Sequence, residues 1–126
     1  MHFSRITLAS LAASQAAAVT LWATAYNGGV YSLNLDQEDQ GGYTLTGAAI
    51  PGGSTACGVD ASWLTKDKYN DVVYCVDEAW GLANGTINSF KPTANGSLAL
   101  FDKESTLASP VATVVYNGGA ALVAAH

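Results

Sequence analysis

Ala61-Ser62-Trp63-Leu64-Thr65-Lys66-Asp67-Lys68-Tyr69-Asn70-Asp71-Val72-Val73-Tyr74-Cys75-Val76-Asp77 is the stretch that decides the fold. Two short runs rich in β-branched and aromatic residues flank a polar turn, the signature of a strand, a hairpin and a second strand. At an offset of 49 the pattern returns in residues 110–126, which lays Leu122-Val123-Ala124-Ala125 under Val73-Tyr74-Cys75-Val76 and Asn117-Gly118-Gly119 under Lys68-Tyr69-Asn70. At an offset of 52 the strand 73–76 lies over Leu21-Trp22-Ala23-Thr24. A five-residue insertion, 79–83, moves the offset to 57, where Asn27-Gly28-Gly29-Val30-Tyr31-Ser32-Leu33 pairs with Asn84-Gly85-Thr86-Ile87-Asn88-Ser89-Phe90.

A period of about 50 residues holding four short strands has the size of a β-propeller blade. The expected architecture is all-β, a partial propeller of about two to two and a half blades. A first unit supplies three strands (21–25, 30–35, 43–46), a complete unit follows (62–65, 72–76, 86–90, 97–101), and a third opens with 111–115 and 120–125. A small β-sandwich, whose strands look alike because all strands alternate, is the competing architecture.

Residues 1–18 differ in kind from the rest. A basic start ending at Arg5, an apolar run and the small residues Ala16-Ala17-Ala18 follow the order of a secretory signal peptide. The run is too short, and too broken by Ser10, Ser14 and Gln15, for a membrane anchor of about 20 residues. The chain therefore divides into a signal peptide, 1–18, and an incomplete propeller domain, 19–126, with secretion expected. Residues 19–126 hold four lysines, no arginine and all ten acidic residues, a net charge near −6. Nucleic acids and anionic membranes select for Lys and Arg, so neither is an expected partner.

Cys57 and Cys75 either bridge, as an oxidising compartment favours, or remain a loop thiol and a small apolar strand residue. Asn84-Gly85-Thr86 and Asn95-Gly96-Ser97 are glycosylation sequons in turn sequence, which makes Asn84 and Asn95 expected sugar acceptors. Asp77 and Glu78 close the second strand of the complete unit; they are candidate catalytic acids at a channel mouth, or else a solvated turn. Trp63 is a core aromatic or a stacking surface for a sugar, the core being favoured. Asp36, Glu38 and Asp39 lack the spacing of a calcium loop, and the two cysteines have no histidine beside them to make a zinc site. No metal and no cofactor is expected.

Ala61-Ser62-Trp63-Leu64-Thr65, Val73-Tyr74-Cys75-Val76-Asp77-Glu78, Asn84-Gly85-Thr86-Ile87-Asn88-Ser89-Phe90, Ser109-Pro110-Val111-Ala112 and the opening Trp22-Ala23-Thr24-Ala25-Tyr26-Asn27-Gly28-Gly29 resemble the seven-bladed lactonase family. That family includes 6-phosphogluconolactonase-type proteins and fungal carboxy-muconate cyclases. The resemblance implies a small-molecule substrate, a cyclic ester or an unsaturated diacid. It departs from the family in the turn Lys66-Asp67-Lys68-Tyr69-Asn70-Asp71, where a Pro-Asp-Gly-like sequence is usual, and in holding fewer than three of seven blades. The chain thus reads as the N-terminal part of such a propeller, without activity by itself. A non-catalytic secreted module that binds a glycan or a protein is the alternative.

Overall fold

The computed structural model describes residues 19–51, 56–107 and 109–125. The signal-peptide segment and His126 lie outside the described residues. Among the described residues nine strands form three antiparallel sheets. The first contains β1 (Val19–Thr24), β2 (Val30–Gln37) and β3 (Tyr43–Ala49); the second contains β4 (Ala61–Asp67), β5 (Val72–Asp77), β6 (Thr86–Pro92) and β7 (Leu98–Ser105). The third pairs β8 (Ala112–Tyr116) with β9 (Ala121–Ala125) across a single helical turn, Asn117–Gly119. Each sheet runs in sequence order, as a meander of hairpins does. The described residues contain no helix long and apolar enough to cross a membrane.

The repeat offsets give each strand its place. β1 matches β5, and β2 matches β6, so the first sheet holds the second, third and fourth strands of a blade. β8 and β9 match β4 and β5, the first two. Among the described residues only the second sheet has all four strands, and only it has a neighbour on each side. Its strand β5 shows the effect. Val72, Val73, Cys75, Val76 and Asp77 are all buried, the pattern of a strand covered on both faces rather than on one. The outer strands differ: β3 is exposed along its length, and β7 is exposed everywhere except Leu98.

The core lies between the first and second sheets. Val30 and Ile50 from the first pack with Cys57, Ala61, Val73, Cys75, Phe90 and Leu98, and Trp22 and Leu64 close over them. Polar side chains fix the junctions. The Trp22 indole N–H (3.0 Å) and the Ser32 hydroxyl (2.6 Å) both donate to the carbonyl of Gly96 in the β6–β7 turn. Between the second and third sheets, the Thr65 hydroxyl donates to the carbonyl of Thr113 at 2.9 Å and accepts from the Thr113 hydroxyl at 2.9 Å. Asn70 Nδ2 donates to the carbonyl of Gly119 at 2.9 Å, joining two hairpin turns.

Candidate functional site

Three connections meet at the end of the second sheet where β5 stops: residues 56–60 entering β4, the 78–85 loop between β5 and β6, and residues 106–107 and 109–111 before β8. Backbone bonds tie them together, from Glu78 N–H to Asp60 (3.0 Å), Gly85 N–H to Leu107 (3.3 Å) and Thr106 N–H to Gly85 (2.9 Å). This end carries Asp77, Glu78 and Asn84.

Asp77 is not part of a solvated turn; it is 4 % exposed and forms the hub of the end. Its Oδ1 accepts the N–H groups of Val59 (3.2 Å), Asp60 (2.9 Å) and Ala79 (3.1 Å), while the Thr86 hydroxyl lies 3.4 Å from Oδ2. The cause is a general one. Chain turning out of a strand leaves N–H groups without a ladder partner, and buried ones must find an acceptor. Gly58 makes the approach possible. It has φ +118°, and a Cβ there would fall 1.9 Å from Asp77 Oδ2. With three N–H groups on one oxygen, this carboxylate positions backbone rather than moves protons.

Glu78 is also buried, at 5 % exposure, and accepts the indole N–H of Trp80. The backbone N–H of Trp80 donates to Asp60 Oδ2 at 2.8 Å. Asp60 and Trp80 are the residues of this end that sequence reasoning missed. The spacing of three acids along the chain carried no sign that a connector would fold back onto the β5 terminus.

Cys57 and Cys75 are bridged, with Cα atoms 5.9 Å apart and both side chains fully buried. The free-thiol alternative is thereby set aside. The bridge fastens the connector to the centre of β5, and the Cys57 N–H reaches back to the carbonyl of Gly28 in the first sheet at 3.1 Å.

Trp63 corrects a second expectation. It is 48 % exposed, with its indole N–H on Thr65 Oγ1 at 3.0 Å, and is no core aromatic. The β4–β5 pairing slips between Ala61 and Trp63, and a bulge of this kind re-aims the side chain that follows it. Trp63 then falls on the same face as Thr65, toward β8, while Leu64 takes the core side.

The sequons separate. Asn84 is exposed at the carboxylate end, and Asn95 is exposed in the β6–β7 turn at the other. Asp36, Glu38 and Asp39 are exposed at the β2–β3 hairpin, where Glu38 accepts the Thr44 hydroxyl. Among the described residues no three His, Cys, Asp or Glu side chains are grouped as metal ligands.

The opposite end holds a carboxylate unnoticed in the sequence. Asp67, 1 % exposed, accepts the N–H groups of Tyr69 (2.8 Å) and Asn70 (3.3 Å) and the Asn70 amide (2.8 Å). Burial pushes its carboxyl up, but these hydrogen bonds and the charge of Lys66 outweigh that and hold it below the ordinary 3.8. Burial, and then the Asp67 charge, push the nearby Tyr74 hydroxyl above its ordinary 10.0. Lys66 itself pairs with Asp71 and sits 5.5 Å from the centre of the Trp22 ring.

A family model described as "Lactonase, 7-bladed beta-propeller" matches residues 17–126. No curated protein and no solved structure matches the chain.

Proposed function

Because the chain belongs to the seven-bladed β-propeller lactonase family, we propose that it forms an arc of a secreted lactonase or cycloisomerase ring acting on a small cyclic ester or a carboxymuconate-like acid. In this reading the arc supplies wall and rim, and the groups that perform the chemistry lie outside these nine strands. Opening or closing a lactone calls for an acid or base at the ring oxygen and for donors to a carboxylate or phosphate. The observation that carries the reading is the commitment of Asp77 to three backbone N–H groups, which leaves one of the two candidate acids with a structural task. The four lysines provide no arginine-like fork for an anion.

The test is to purify the chain from Val19 onward and follow hydrolysis of δ-gluconolactone and cyclisation of carboxymuconate. Turnover at the buffer rate is expected. Turnover above it that disappears in Asp77→Asn, while the variant keeps its fold by circular dichroism, would place the chemistry in this arc and refute the reading.

A further inference from the structure

Trp80 is 68 % exposed, more than any other tryptophan, yet both of its N–H groups are tied down. The backbone N–H is on Asp60 Oδ2 and the indole N–H on Glu78 Oε2. Both anchors are themselves held, since Asp60 N–H donates to Asp77 (2.9 Å) and the Asp60 carbonyl accepts from Glu78 N–H (3.0 Å). The exposure is not that of a sheet face waiting for its neighbour. Leu100, Phe101 and Val114 are exposed within strands; Trp80 stands at the end of the one sheet flanked on both sides. An open aromatic plane is thus fixed in orientation before anything binds it.

Glu78 gives a second sign. It is a charged side chain more than nine-tenths buried, and the one ion pair among the described residues is Lys66–Asp71, at the other end of the sheet. One of its oxygens takes the indole N–H. The other accepts nothing from the described residues and is not sealed from solvent. The second oxygen of Asp60 likewise accepts nothing from the described residues.

We propose that Trp80, Asp60 and Glu78 form a binding site for a neutral sugar ring. A pyranose presents one face of C–H bonds and a rim of hydroxyl donors. Its C–H face stacks on the open indole, and its hydroxyls donate over the ring edge to the free carboxylate oxygens, which make strong acceptors. Anions are repelled by Asp60, Asp77 and Glu78. A cation is served less well, because the indole N–H bond holds Glu78 at the edge of the ring and not opposite its face. One aromatic plane, moreover, leaves an ammonium largely hydrated. The proposal stands whether or not the arc belongs to an active lactonase.

The experiment uses the chain from Val19, made without sequon sugars so that a glycan on Asn84, in the same loop, does not occupy the indole. Cellotetraose, laminaritetraose and triacetylchitotriose are titrated while the indole N–H signals are followed by NMR. At least one is expected to shift the Trp80 signal with a Kd of about 1 mM. Trp80→Ala should weaken binding about tenfold or more, and Trp80→Phe should restore part of it. Glu78→Gln, which keeps the acceptor to the indole but removes the charge, should weaken it less. No shift of the Trp80 signal up to about 10 mM of all three sugars overturns the proposal. So does unchanged affinity in a folded Trp80→Ala, or saturation by tetramethylammonium with no response to the sugars.

Discussion

Opening the Cys57–Cys75 bridge should do more than release a loop. The two residues are 18 apart, and closing a loop of that size is worth about 3 kcal/mol on the chain-entropy account. At a urea dependence of about 1.5 kcal/mol per molar for a chain of this length, that moves the unfolding midpoint down by about 2 M. The same connector also holds the first sheet, through Cys57 N–H on the carbonyl of Gly28 (3.1 Å). A Cys57→Ala/Cys75→Ala variant should therefore lose the junction between the first two sheets before it loses the second sheet. The assay is urea unfolding with and without reductant, read by tryptophan fluorescence and by amide exchange. The expected outcome is a midpoint lower by about 2 M and early exchange at the amides of positions 50 and 57. An unchanged midpoint, or exchange that rises evenly across all three sheets, would refute the reasoning.

Other consequences are as direct. Gly58→Ala forces a methyl into Asp77 Oδ2 at a backbone angle that side chains avoid; a loss of about 3 kcal/mol is expected, and a thermal midpoint equal to wild type would contradict it. Asp67 has a lowered folded pKa, so its contribution is present above the ordinary carboxyl value of 3.8 and is lost as pH falls through the folded value. Urea titrations should accordingly show the wild-type advantage over Asp67→Asn shrinking in acid, and a deficit constant down to low pH would oppose that. When a eukaryotic secretory pathway makes the chain, intact-mass measurement should find an N-terminus near Val19 and a glycosidase-sensitive sugar on Asn84 or Asn95. Material retaining Met1 and showing no mass shift would count against both.

What the sequence made legible was what hydrophobic alternation controls. Residues 72–76, 86–90 and 30–35 announce themselves as strands because β-branched and aromatic side chains alternate between Gly and Asn turns, and the structure places β5, β6 and β2 there. The offsets also encoded which strands the first sheet contains. Alternation assumes an unbroken pleat, and the slip between Ala61 and Trp63 breaks it; nothing in the sequence marked that slip, and Trp63, favoured as a core aromatic, stands exposed. Asp77 and Asp67 escaped for another reason. A carboxylate beside a turn looks the same in sequence whether water or backbone N–H groups solvate it, and only the path of the connector separates the cases. The cysteine pair was undecided until the distance between Cα atoms was known.

The junctions between sheets end, almost without exception, on main-chain oxygens: Gly96 for Trp22 and Ser32, Thr113 for Thr65, Gly119 for Asn70, Gly28 for Cys57. A carbonyl is there whatever side chain the residue carries. Each unit is thus docked by the path of its neighbour's backbone, and the receiving position can change its residue without forfeiting the bond, so long as the turn keeps its shape. Lineages of such units are free to drift apart in composition while still stacking. That is the form the repeat takes in this chain, where apolar positions and turns recur at offsets of 49, 52 and 57 while few identities survive.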